Sequence, residues 1–170
     1  MELKSFIRDI PDFPEPGILF RDITPLLRDP RAFSYVIDRF IDRYGGQDFD
    51  SIVAIESRGF LFGAPLAHRL GKSIVPVRKP GKLPAATHSV EYSLEYGTNS
   101  MEMHQDGVHE GERVLVVDDL LATGGTLVAA ASLVEMSGGV VAAMGVVVEL
   151  VDLSGRNTLG AYDVFSLIEY

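Results

Sequence analysis

One stretch restricts this chain more than any other, Arg113-Val-Leu-Val-Val-Asp-Asp-Leu-Leu-Ala-Thr-Gly-Gly-Thr126. Residues 114–117 are a short apolar, mostly β-branched run, the pattern of a strand covered on both faces. The chain turns polar at Asp118 and Asp119, and Thr123-Gly124-Gly125-Thr126 then leads into an Ala-rich helical pattern that stops at Gly138-Gly139. Strand, loop and helix in this order predict an open parallel sheet with a ligand site at the strand's carboxyl end. Free amides and the positive end of the helix dipole attract anions there. The two glycines let backbone amides close on a phosphate. Adjacent carboxylates repel and successive strand side chains point to opposite faces, so Asp118 and Asp119 should do different jobs, one of them facing the ligand. Carboxylates suit ribose hydroxyls or an intervening Mg2+ ion, which leaves a phosphate to the Thr-Gly-Gly-Thr amides. The stretch reads as a phosphosugar pocket.

Elements alternate in the same way along the rest of the chain. Residues 30–44 open with Pro30 and place Phe33, Val36, Ile37, Phe40 and Ile41 on one face, which predicts a core helix ended by Gly45-Gly46. A strand over 51–55, a helix over 59–70 and a strand over 74–77 follow. Residues 79–99 lose the pattern to proline, glycine and polar side chains, which predicts a mobile functional loop, with a strand from 99 to 103. Further strands are expected over 113–117, 140–150 and 164–167. Residues 11–25 hold too many prolines for a helix or a central strand and predict a stiff extended cover over the sheet. The bulky run 60–66 has helix spacing and reads as core packing.

Composition narrows the function classes. A chain of 170 residues with 46% hydrophobic content is most simply one domain, able to bury roughly 70% of its unfolded surface. It contains no cysteine, which excludes disulfides, thiolate catalysis and cysteine metal sites and fits a reducing cytoplasm. The N-terminus mixes charges through its apolar residues, unlike a signal peptide, and no stretch approaches the roughly 18 apolar residues of a spanning helix. A formal charge of −9 argues against nucleic acid and anionic membranes as partners. An acidic chain that takes an anionic substrate needs a local basic counterweight, and Arg78, Lys79 and Lys82, with Arg58, provide one. His68, His88, His104 and His109 lack zinc-site spacing.

Three other stretches join the 113–126 motif: Pro11-Asp-Phe-Pro-Glu-Pro-Gly-Ile-Leu-Phe-Arg-Asp-Ile-Thr-Pro25, Glu56-Ser-Arg-Gly-Phe-Leu-Phe-Gly63, and Arg78-Lys-Pro-Gly-Lys-Leu-Pro84 with Tyr92-Ser-Leu-Glu-Tyr-Gly97. In this order, and over nearly the whole chain, they resemble the type I phosphoribosyltransferase family, in the form carried by its adenine-using branch. The resemblance implies an α/β fold: a central, mainly parallel sheet with helices on both faces, an N-terminal hood over about 1–29, and a mobile catalytic loop over about 79–99. It implies a purine salvage enzyme in which adenine and 5-phospho-α-D-ribose 1-diphosphate (PRPP) give AMP and diphosphate, with Mg2+, in a cytoplasmic homodimer.

By the same resemblance, Asp118 and Asp119 hold the ribose or its Mg2+, and Ala122, Thr123, Gly124, Gly125 and Thr126 hold the 5′-phosphate. Ser57, Arg58 and Gly59, with Arg78, Lys79 and Lys82, face the pyrophosphate. Phe20 stacks on the base while the main chain of Leu19 and Arg21 reads its edge. Glu95 takes the proton that N9 of adenine loses, Tyr96 closes the site beside it, and Arg58 completes the catalytic groups. Two alternatives stand beside this reading. One is another purine base, xanthine, hypoxanthine or guanine; the other is a non-catalytic protein that senses PRPP, against which the acidic charge and Glu95 both weigh.

Overall fold

The structure is a computed structural model that describes residues 1–93 and 98–170. Strands β1 (Arg8–Pro11) and β2 (Leu19–Asp22) pair antiparallel and lead through α1 (Thr24–Arg28) into α2 (Pro30–Tyr44). Next come β3 (Ser51–Ile55), α3 (Gly59–Leu70) and β4 (Ser73–Val77), then an antiparallel pair, β5 (Thr87–Ser93) and β6 (Thr98–His104). The remainder is β7 (Arg113–Leu121), α4 (Gly125–Met136), β8 (Val140–Glu149), α5 (Gly155–Leu159) and β9 (Val164–Glu169). The central sheet is wholly parallel, in the order β4-β3-β7-β8-β9.

Side-chain alternation along its strands makes two cores. Ile52, Leu115 and Val117 pack with α1, α2 and α3 on one face. Val53, Ile55, Val114 and Val116 pack on the other with α4 and with Met101 and Met103 of β6. Helix α2 shows why the sequence folds this way locally: Asp29 caps it by accepting the Arg31 and Ala32 N–H groups, both at 2.9 Å, and Pro30 occupies its first turn. Its buried face ends at Tyr44, whose hydroxyl donates to the Met144 carbonyl at 2.8 Å.

Three expectations are corrected. Residues 79–99 are not loop throughout, because β5 occupies Thr87–Ser93 and pairs with β6 from Thr87↔His104 to Ser93↔Thr98. The polar side chains that hid this strand fall on the exposed face of a two-stranded ribbon, while Val90 and Tyr92 pack inward. Residues 11–25 are not extended throughout either. They are extended in β2, as expected, but turn helical at the start of α1, where Pro25 is tolerated in a first turn that needs no N–H donor. Finally, β7 runs past residue 117 to Leu121, since β8 continues its ladder with Asp118↔Val146, Leu120↔Val148 and Leu121↔Glu149. Both aspartates therefore lie inside a strand.

Candidate active site

Strands β3 and β7 are parallel neighbours, in register from Ser51↔Val114 to Ala54↔Val117, so the turns that follow them open at the same end of the sheet. Between the turns lies a cavity of about 340 Å3. Ser57, Arg58, Lys79, Asp118, Asp119, Ala122, Thr123, Gly124 and Thr126 line it, which brings together most of the residues expected around a phosphosugar. Gly59 and Gly125 stand behind the wall and begin α3 and α4. Gly59 is required by close approach: a Cβ there would stand 2.9 Å from the Val117 carbonyl and 3.0 Å from Asp118 Oδ1. Gly124 has φ +90°, a conformation that disfavours other residues, and turns the chain from the cavity lining into α4.

The two carboxylates are only 7% and 6% exposed, for Asp118 and Asp119 respectively. Asp118 Oδ1 accepts the Asp119 N–H at 2.8 Å. Burial pushes the Asp118 carboxyl well above the ordinary carboxylate range, and the neighbouring Asp119 charge adds to the effect. Asp119 instead accepts from Arg58 Nε at 2.5 Å. The two carboxyls differ in their partners, one held by a backbone N–H and the other by a cation, yet both line the same cavity, so strand alternation does not send one of them away from it.

The basic run divides. Lys79 reaches the cavity, whereas the Arg78 guanidinium is held by Glu56 at 3.2 Å and Lys82 lies outside the lining. Burial would raise the Glu56 carboxyl, but the Lys79 N–H at 2.9 Å and the Arg78 guanidinium outweigh it and hold the group below the ordinary range. Glu56 is a residue that sequence reasoning missed, since a carboxylate beside an anion site gives no sign that its task is to anchor the Arg78 guanidinium and the Lys79 main chain. The backbone of Arg78 also pairs with Glu102, fixing the exit from β4 against β6.

A second cavity, also about 340 Å3, opens beneath the β1–β2 hairpin and is mainly apolar. Phe20 lines it with Ile10, Phe13, Ile23 and Thr24, and its ring meets that of Phe13 edge to face at 5.1 Å. Leu19, 45% exposed, lies outside this lining. The Arg21 side chain is committed elsewhere: Asp9 pairs with it, and its guanidinium lies 3.8 Å from the centre of the Tyr170 ring. Asp22 anchors the hairpin's end by accepting from Arg8 at 2.6 Å, from the Thr24 N–H at 2.9 Å and from the Thr24 hydroxyl at 2.8 Å.

Arg58 lines both cavities. Its guanidinium carbon is 5.8 Å from the Phe20 ring centre while its Nε holds Asp119, so one side chain spans from the apolar compartment to the acidic one. Glu95 and Tyr96 lie outside the described residues.

Comparison with known proteins agrees with this geometry. Residues 29–168 match the family model described as "Phosphoribosyl transferase domain". The chain is 60% identical to the adenine phosphoribosyltransferase of Chloroflexus aurantiacus, over 99% of this chain and 98% of that one. The crystal structure of adenine phosphoribosyltransferase from Thermoanaerobacter pseudethanolicus superposes with a TM-score of 0.97 at 58% identity, covering 99% of this chain and 98% of that chain. The Saccharomyces cerevisiae adenine phosphoribosyltransferase, crystallised with an imino-altritol bisphosphate and adenine, gives 0.92 at 42% identity, covering 98% and 96%.

Proposed function

The chain belongs to the adenine phosphoribosyltransferase family, and from that premise we propose that it transfers the phosphoribosyl group of PRPP to N9 of adenine, giving AMP and diphosphate. The observation that carries this reading is the pair of adjoining cavities that share Arg58, one lined by carboxylates, cations and the 122–124 loop, the other apolar and aromatic. A phosphosugar and a flat base are thereby brought edge to edge.

In the reaction the N9–C1′ bond forms as the C1′–O bond to pyrophosphate breaks, and the leaving group takes the electron pair. Asp119 and Asp118 hold the ribose hydroxyls, the 122–126 loop holds the 5′-phosphate, and Ser57, Arg58 and Lys79 face the pyrophosphate. Phe20 stacks on adenine, and Glu95 accepts the N9 proton, with Tyr96 closing the site against water. Most of the rate comes from positioning and from charge fixed in advance.

The donor set also suits Mg2+. Among the described residues no group of three or more His, Cys, Asp or Glu side chains is placed to hold a metal, while Asp118 and Asp119 border the cavity together with Glu56, which Arg78 already holds. Such a site fits a small hard cation that brings most of its ligands as substrate oxygens and water. Asp118 or Asp119 would meet it, and it would supply neutralising charge to the pyrophosphate. No described helix is long and apolar enough to cross a membrane. We place the enzyme in the cytoplasm, as one domain over 1–170 acting as a homodimer; sedimentation of the purified protein at twice the chain mass would agree with the last point.

Purified protein mixed with Mg2+, PRPP and each purine base in turn should release diphosphate fastest with adenine. Faster release with hypoxanthine, guanine or xanthine would overturn the base assignment and leave the PRPP assignment standing. No release with any base would overturn the enzyme.

A further inference from the structure

Behind the phosphate loop, and outside both cavities, lies an ion pair for which the reaction described above has no use. Glu149 is the last residue of β8, 4% exposed, in register with Leu121 at the end of β7. Arg156 donates to it through Nε at 2.8 and 3.0 Å and through Nη2 at 2.7 Å. The rest of the guanidinium is also occupied, with Nη1 on the Val164 carbonyl at 2.7 Å and Nη2 on Ser166 Oγ at 3.0 Å. Ser166 Oγ itself donates to Glu149 Oε2 at 2.7 Å. Burial would raise the Glu149 carboxyl, yet its bonds from Arg156 and Ser166 hold it below the ordinary range, so the pair is charged at neutral pH.

A fully bonded pair between a buried carboxylate and a half-exposed arginine adds little net stability and is better suited to fixing one arrangement. What it fixes is α5. Gly155, next to Arg156, packs backbone to backbone on the phosphate loop: a Cβ there would stand 2.3 Å from the Ala122 carbonyl and 2.7 Å from Leu121 Cδ1. In return the Gly155 carbonyl is 2.8 Å from where a Cβ of Gly124 would be, and Thr158 Cβ is 3.2 Å from it. The left-handed turn at Gly124 is thus backed by α5, and α5 is pinned to β8 and β9 by Arg156.

We propose that Glu149 and Arg156 are positioning residues for PRPP, holding α5 against the 122–124 turn so that the phosphate loop is set before substrate arrives. The inference rests on the transferase reading above. A preset loop avoids an ordering cost on binding, so loosening it should weaken the sugar phosphate and spare the base.

Steady-state kinetics with each substrate varied, on wild type, Arg156→Ala, Arg156→Lys and Gly155→Ala, test this. Arg156→Ala is expected to raise the PRPP KM about tenfold and leave the adenine KM within about twofold. Arg156→Lys should regain part of the loss, because an ammonium reaches the carboxylate without the fork. Gly155→Ala should reproduce the PRPP-selective rise with the ion pair intact. An equal rise in both KM values, or unchanged KM values with only a lower melting temperature, would overturn the proposal. If Arg156→Ala fails to fold, the other two variants decide. A wild type that turns over no base would overturn the transferase reading instead; ribose 5-phosphate binding by wild type and Arg156→Lys would then test the loop directly, and equal affinities would refute the positioning role.

Discussion

Asp118 and Asp119 sit at 7% and 6% exposure within β7, whose neighbours are β3 and β8, whereas Phe13, Ile18 and Leu19 of the hairpin over the base cavity are 49%, 45% and 45% exposed. The sugar-phosphate side is placed by the same burial that makes the sheet. The base side is a two-stranded flap held by ion pairs, Arg8 with Asp22 and Arg21 with Asp9, and by the Tyr170 ring under Arg21. A two-stranded ribbon is marginal alone and takes its order from what it packs on. The difference suggests that grip on PRPP is set by the core, while grip on the base is set by contacts that salt, acid and single surface substitutions can alter.

The largest effect should come from Asp119→Asn, which leaves the volume of the strand end unchanged but removes the charge that Arg58 holds. We expect kcat/KM for PRPP to fall about 100-fold, with melting little changed. An adenine KM rising as far as the PRPP KM would erase the contrast. Phe20→Ala should act on the other side. Loss of a stacking face is worth roughly 1–3 kcal/mol, so the adenine KM should rise about tenfold or more while the PRPP KM holds; a PRPP KM that moves equally would show that the two compartments are not separate.

Acid should loosen the base side. Burial would raise the Asp22 carboxyl, but the Thr24 N–H and Arg8 outweigh it, so the group lies below its ordinary value. Its contribution is therefore complete above about pH 4 and is lost as the pH falls through the folded value. Hydrogen exchange within 8–22 should quicken over that range while exchange in β7 does not, and Asp22→Asn should already be quick at neutral pH. The smallest effect is expected from Tyr170→Leu. Removing a cation–π partner worth roughly 0.5–1 kcal/mol should raise the adenine KM about threefold, and an unchanged value would show that Asp9 alone holds Arg21.

How much of this was legible in the sequence differs between the same two regions. The strand, loop and helix of 113–126 follow from apolar periodicity and glycine placement, which are local signals, and the structure gathers most of these residues around one cavity. The hairpin over the base was hidden by its prolines, because pairing of Arg8–Pro11 with Leu19–Asp22 depends on residues too far apart for periodicity to register. β5 was missed for a related reason, since its polar residues on the ribbon's outer face mimic a loop. Glu56 and the Glu149–Arg156 pair were out of reach because charged residues in a sequence carry no record of their burial. Arg58 was recognisable as a cation near anions, but its reach from Asp119 to Phe20 emerges only when two distant segments meet.

That reach makes Arg58 the most direct test of one cleft serving two substrates, because this side chain joins its halves. Steady-state kinetics of Arg58→Ala with both substrates varied should show the KM for PRPP and the KM for adenine rising together, unlike the one-sided changes expected from Asp119→Asn and Phe20→Ala. A rise confined to PRPP, with the adenine KM at its wild-type value, would contradict the account.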